Sequence, residues 1–206
     1  FHLAASAGVR DSINHPTKFI DENIKNTIKV YEFAKKKGIK KIYYASSSSV
    51  YGDNNIFPSN EELQLNKPLS VYGITKIATE NIASYYSKIF NISSVGFRFF
   101  TVYGPLGRPD MSIYLFMNAI KFKKTLILNN RGKNYRDYTH VNEIIFYLYH
   151  VYLKTKNKRK FNLTFNIGGQ KNYKLTYVVK VIEKLLNRKT KISLKPKLSV
   201  DPIKSL

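Results

Sequence analysis

Residues 39–52 read IKKIYYASSSSVYG. The first half is apolar, aromatic and β-branched, which predicts a strand. The second half is a run of four serines, a composition that elsewhere marks a flexible linker. A serine run directly after a strand places hydroxyl groups at the strand's C-terminal end. The flanking sequence decides what kind of sheet that strand belongs to.

Upstream, residues 16–37 predict a helix, with Ile20, Ile24, Thr27, Ile28, Tyr31 and Ala34 recurring at helical spacing. Pro16 suits its first turn, Gly38 its C′ position, and Lys35, Lys36 and Lys37 its negative end. Downstream, a polar loop runs from Gly52 to Pro68. Residues 70–90 predict a second helix, with Tyr72, Ile77, Ala78, Ile82, Tyr85, Tyr86 and Ile89 as its apolar stripes, and ISSVGFRFF (92–100) predicts another strand. Residues 1–4 read as a strand's tail. Strand, helix, strand, helix, strand is the pattern of an α/β, doubly wound parallel sheet. Past Tyr103 the order loosens. Helices are expected at 112–123, 142–154 and 175–186, short strands at TLILN, TFNIGG and KISL, and a loop over NRGKNYRDYTHV (130–141).

The composition excludes several classes. No apolar run approaches the roughly 18 residues that cross a bilayer, and no signal-peptide pattern opens the chain. With no cysteine there is no disulfide or thiolate metal site, which fits a reducing, cytoplasmic setting. The formal charge of +22 could serve nucleic acid. The cations are spread along the chain without a nucleic-acid-binding motif, and Lys, Ile, Asn and Tyr are all abundant, as in an A/T-rich coding sequence. Nucleic acid is therefore not the expected partner. The four histidines form no metal spacing, and Glu61 and Glu62 are expected on a solvated loop.

Chemistry concentrates in YGITK. Tyr72 and Lys76 are four residues apart and share a helix face. An ammonium near a phenol favours the phenolate, lowering a pKa otherwise about 10, so such a tyrosine can take a proton near neutral pH. Ser47, at the end of the preceding strand, lies on the rim where doubly wound sheets bind ligands. Phe100 and Thr101 end the next strand on that rim.

FHLAASAGV, YASSSSVYG, SVYGITK, RFFTVYGPLGRPDM and RDYTHV, in this order, resemble the extended short-chain dehydrogenase/reductase superfamily and its NAD-dependent epimerase/dehydratase members. The chain looks most like the UDP-glucuronate 4-epimerases. The resemblance implies a Rossmann-like domain over residues 1–104 and a smaller α/β substrate domain mostly within 105–206. It implies tightly bound NAD and a UDP-sugar substrate oxidised transiently at C4. Tyr72 would be the general base, Lys76 would hold the nicotinamide ribose, and Ser47 would bond the 4-oxygen. Leu3, Ala4, Ala5 and Phe100 would line the cofactor. Ser48, Ser49, Thr101, Arg108 and Arg136 would face the sugar nucleotide, the arginines at its phosphates. Related dehydratases and decarboxylases carry acids in one or both places held here by Ser48 and Ser49, which argues for epimerisation alone. UDP-glucose/UDP-galactose epimerisation, a dehydratase, and an inactive Rossmann-like remnant binding a partner or nucleic acid are the alternatives. The two long helices resemble those that pair in homodimers of the superfamily. The chain opens on Phe1 without the family's glycine-rich segment, and KLSVDPIKSL departs from the family's pattern. A fragment or decayed gene product is therefore expected, with weak or no NAD binding and no turnover by itself.

Overall fold

The computed structural model describes residues 1–52, 56–65 and 67–198. The expected loop residues 53–55 and the end of the KLSVDPIKSL tail lie outside them. In chain order the elements are α1 (Asp11–Asn14), α2 (Pro16–Phe19), a π-helical turn (Ile20–Lys25), α3 (Asn26–Lys36), β1 (Lys41–Ser47) and a 3-10 turn (Ser48–Tyr51). There follow α4 (Val71–Phe90), β2 (Ser93–Phe99), β3 (Thr101–Tyr103), α5 (Ser112–Lys121), β4 (Leu126–Leu128), a second 3-10 turn (Asn129–Gly132) and β5 (Tyr135–His140). The chain continues through α6 (Val141–Thr155), β6 (Asn162–Ile167), β7 (Asn172–Lys174), α7 (Leu175–Leu185) and β8 (Ile192–Leu194). The whole is a mixed α/β fold built on parallel pairings.

The chain divides into two compact units, residues 1–99 with 147–167, and residues 100–146 with the described residues from 168 onward. In the first, β1, β2 and β6 form a parallel sheet in the order β1-β2-β6. Ile42 and Tyr44 of β1 pack with Tyr31 and Ala34 of α3 and Ala83 and Tyr86 of α4. Tyr43, pointing the other way, bonds Thr155 of α6 through its hydroxyl at 2.8 Å. Burial on both faces explains why β1 reads as a continuous apolar run rather than an alternating one. Gly96 of β2 lies under the Tyr44 ring, where a Cβ would come within 2.5 Å of the Tyr44 hydroxyl oxygen. Of the strand expected at residues 1–4, His2 alone forms a bridge, to Tyr44.

Both helix stripes differ from the sequence expectation. The buried positions over residues 16–37 are Phe19, Asn23, Thr27, Tyr31 and Ala34, whereas Ile20 and Ile28 are exposed. The cause is the π turn. Four-residue steps overshoot a 3.6-residue turn, and a wider turn brings them back onto one face. In α4 the buried face is Gly73, Thr75, Lys76, Thr79, Ala83, Tyr86 and Ser87, while Ile74, Tyr85 and Ile89 are exposed. Small and hydrogen-bonded side chains let α4 lie close to the sheet, so the polar face goes inward.

In the second unit, β3 pairs parallel with β5, which pairs antiparallel with β7, and β4 pairs parallel with β8. Helices α5 and α7 close a core of Phe116, Ile120, Leu126, Leu128, Val179 and Ile182. The segment expected as a loop over 130–141 contains β5. Its polar residues conceal a strand whose inward positions, Asp137 and Thr139, are buried by hydrogen bonding rather than by apolar packing.

Candidate active site

The C-terminal ends of β1, β2 and β6 form one edge of the first unit's sheet. At that edge β1 ends in extended Ser47, whose hydroxyl accepts a hydrogen bond from the Ser49 N–H at 3.2 Å and caps the 3-10 turn. The Ser47 hydroxyl donates onward to the Ser49 hydroxyl, also at 3.2 Å. Ser47 is buried, and Ser48 and Ser49 are half-buried. The serines therefore form an ordered turn, not a linker.

Helix α4 starts against this turn. Ser70 caps it, accepting from the Gly73 N–H at 3.1 Å. At Gly73 an added Cβ would lie 2.7 Å from the Ser49 carbonyl oxygen, so the missing side chain is what lets the helix approach. Tyr72, next to it, is half-buried, its ring edge-on to Phe19 at 6.1 Å and its N–H donated to Ser12 Oγ at 3.2 Å.

Lys76 is 4% exposed. Its Nζ donates to the Ala45 carbonyl at 3.0 Å and stands 5.8 Å from the Tyr72 ring centroid. Burial lowers its pKa to about 8, because a buried ammonium has lost its water. His2 is held low as well, by its own burial and then by the charge of Lys76. Its Nε2 lies 3.1 Å from Thr27 Oγ1.

Asn23 was not singled out by the sequence. The π turn carries it into the interior, where Nδ2 donates to the Ser6 carbonyl at 2.9 Å and to Thr75 Oγ1 at 3.0 Å, and Oδ1 accepts from the Ser6 N–H at 2.8 Å. It ties the segment after His2 to the residue beside Lys76. An asparagine four residues from both Phe19 and Thr27 was the available signal. Glu61, expected in solvent, is bound into the fold. Its carboxylate accepts from the Asn166 N–H at 2.8 Å and its carbonyl from Arg98 at 3.1 Å.

Ser47, Ser48, Ser49, Tyr72 and Lys76 thus share one edge of the first unit. Leu3, Ala4 and Ala5 are exposed in the segment after the His2 bridge. The remaining candidates belong to the second unit. Phe100 packs near Gly168, and Thr101 opens β3. Arg108 is ion-paired with Asp110, its Nε 3.0 Å from Oδ1. Arg136 donates to the Tyr135 carbonyl at 2.7 Å. Asp137 accepts from the Gly169 and Gln170 N–H groups at 2.8 and 2.9 Å and from Thr139. Among the described residues no His, Asp or Glu cluster could hold a metal, and no helix is long and apolar enough to cross a membrane.

The family model for the NAD-dependent epimerase/dehydratase family matches residues 1–168. An uncharacterized protein of Methanocaldococcus jannaschii is 38% identical over 204 residues, 99% of this chain and 61% of that protein. UDP-glucuronate 4-epimerase of Thermodesulfobacterium geofontis is 35% identical over 191 residues, 92% of this chain and 57% of its own length. This chain therefore spans about six-tenths of the length of these relatives. The crystal structure of UDP-glucuronic acid 4-epimerase from Bacillus cereus, in complex with UDP-glucuronic acid and NAD, superposes with a TM-score of 0.91 at 30% identity, covering 100% of this chain and 64% of that one. With a family match running through the sheet, the serine turn and the Tyr72–Lys76 helix, this chain belongs to the NAD-dependent epimerase/dehydratase family.

Proposed function

We propose that the protein carrying this chain is an NAD-dependent UDP-sugar 4-epimerase whose substrate is UDP-glucuronate. The observation that carries the reading is the meeting of the serine turn with the Tyr72 end of α4 at Gly73, with Lys76 buried one helical turn on. The names of the relatives support the substrate.

The residues present fit NAD. Lys76 has three N–H donors and uses one, on the Ala45 carbonyl, so a buried ammonium is left with donors for a ribose diol. Leu3, Ala4 and Ala5 offer exposed backbone and small side chains for a flat cofactor to lie against. When bound, NAD supplies a hydride acceptor and donor at the sugar's C4. Tyr72 removes the proton of the 4-hydroxyl and later returns it. Lys76 orients the ribose and, as a cation beside the phenol, favours its ionised form. Ser47 offers a hydroxyl to the 4-oxygen, and Ser48 and Ser49 offer neutral hydroxyls to the C5 substituent. Neutral hydroxyls are poor general acids, so elimination and decarboxylation are not served. Residues 1–104 form the cofactor side and residues 105–206 most of the sugar-nucleotide side, with Thr101, Arg108 and Arg136 as contacts and Phe100 beside the nicotinamide. The exposed Ile28, Phe33, Tyr85 and Ile89 on α3 and α4 support a homodimer through these helices.

The test, on the whole protein that carries this chain, is conversion of UDP-glucuronate and of UDP-glucose in the presence of NAD, with products resolved by anion-exchange chromatography. UDP-galacturonate is expected, and Tyr72→Phe should lower kcat by about 10³-fold. Faster conversion of UDP-glucose would change the substrate. A Tyr72→Phe protein as active as the parent would remove the reading.

A further inference from the structure

Helix α4 carries a further inward-facing charged residue one turn beyond Lys76. Glu80 meets Arg98 of β2 in a two-pronged ion pair, Nε to Oε1 at 2.9 Å and Nη2 to Oε2 at 2.7 Å, with both side chains almost wholly buried. Arg98 stands opposite Ser46 in the β1–β2 register. The pair does not stop at itself. Ser46 Oγ donates to Glu80 Oε1 at 2.5 Å. Arg98 Nη1 donates to the Tyr51 hydroxyl at 2.9 Å and to the Glu61 carbonyl at 3.1 Å. The Tyr51 hydroxyl in turn donates to Asn166 Oδ1 of β6 at 2.7 Å.

Ser46 and Tyr51 are the residues on either side of Ser47, Ser48, Ser49 and Val50. One ion pair therefore holds both ends of the turn that carries the three serines. We propose that Glu80 and Arg98 are positioning residues that fix the serine turn against the start of α4, setting where the Ser47, Ser48 and Ser49 hydroxyls stand. The proposal rests on the proposed function only in taking those hydroxyls as substrate-facing.

A buried ion pair is a poor means of gaining stability. Two desolvated charges repay their cost only partly, and well-packed apolar replacements are often neutral or stabilising. A guanidinium is distinctive in its planar fork, which here serves a carboxylate, a phenol and a carbonyl at once. Apolar side chains at 80 and 98 can fill the space but offer Ser46 and Tyr51 no partner.

Amide hydrogen exchange on the purified chain reads this directly, without turnover. In Glu80→Leu/Arg98→Met, and separately in Ser46→Ala/Tyr51→Phe, amides of residues 48–52 should exchange at least about tenfold faster. Amides of β2 and β6 should stay within about twofold of the parent. The second variant leaves the ion pair intact, so it carries the test if the first fails to fold. Arg98→Lys keeps the charge without the fork. It should loosen residues 50–52 and leave 46–47 protected through Glu80. Unchanged exchange in the turn would overturn the proposal, and so would equal acceleration in all three strands, which is the mark of a merely structural pair. Loss of the epimerase reading would show in the Tyr72→Phe assay and leave this exchange pattern untouched.

Discussion

The two ends of β1, β2 and β6 handle charge in opposite ways. At the C-terminal end, residues 45–52 carry no charged side chain, and three charges beside them are buried: Lys76 on a single carbonyl, Glu80 and Arg98 on each other. At the N-terminal end, five of the seven residues 35–41 and five of the seven residues 154–160 are Lys or Arg, with no acid among them. The parallel strands bring these two segments to one edge, where Lys41 Nζ bonds the Lys156 carbonyl at 2.5 Å. All but Lys41 of these ten cations are exposed. One edge thus holds a few costly charges, and the other holds many cheap ones. Burial, not the number of charges, decides where electrostatic free energy is stored.

Lys76 gives the largest expected effect. An ordinary lysine holds its proton to about 10.5, and buried Lys76 holds it only to about 8. Between these values the unfolded chain binds more protons than the folded one, so stability climbs as pH rises. Below pH 8 the full penalty stands. Lys76→Met should therefore stabilise the ligand-free chain at pH 7 by about 2 kcal/mol, roughly 3 from the relieved charge less about 1 for the Ala45 carbonyl left unpaired. Urea titrations at pH 7 and 9.5 should show the advantage shrinking with pH. A variant less stable than the parent would mean that the buried ammonium is well solvated by its surroundings, and the contrast between the two edges would fail at its strongest point.

Gly73 sharpens the same contrast through packing. Within a helix, Gly→Ala ordinarily gains about 1 kcal/mol. Here the new methyl would press on the Ser49 carbonyl at 2.7 Å, and backbone cannot swing aside as a side-chain tip does. Gly73→Ala should destabilise by about 1–2 kcal/mol net, measured by chemical denaturation. A gain would show that the serine turn gives way easily and is not held in place.

What was legible in the sequence followed from pattern. The alternation of strands with helices, and the Tyr72–Lys76 spacing, come from period and local chemistry alone. The errors share one origin, the inference that apolar residues mark the inward face. In α4 the inward face includes Thr75, Lys76, Thr79 and Ser87 beside Gly73, Ala83 and Tyr86, because small and hydrogen-bonded side chains let the helix approach the sheet. Before β1, the π turn re-phases the stripe, and no 3.6-residue count reveals it. β5 was hidden because Asp137 is buried by two backbone N–H groups and a threonine, partners that lie 32, 33 and 2 residues away in sequence. Glu61 was misjudged for the same reason. A polar residue's burial depends on a distant partner that local sequence does not display.

The N-terminal edge gives the smallest expected effect, and it tests the cheap half of the contrast. Part of its charge has a local use, since Lys35 and Lys36 lie in the last turn of α3 and Lys154 in that of α6, where cations offset the negative helix end. Lys40, Lys158, Arg159 and Lys160 lie beyond those turns, and none of them forms an ion pair among the described residues. Exposed like charges repel through water, weakly and over no more than about a Debye length. Lys158→Glu and Lys160→Glu together should raise the thermal midpoint by about one to three degrees at 20 mM salt, with the gain gone near 500 mM. Lys36→Glu, placed at the helix end, should gain less or lose, because it exchanges repulsion between side chains for repulsion from the helix dipole. If all three substitutions shift the midpoint alike and independently of salt, the edge is not an electrostatic cluster, and its lysines act singly as they would anywhere on the surface.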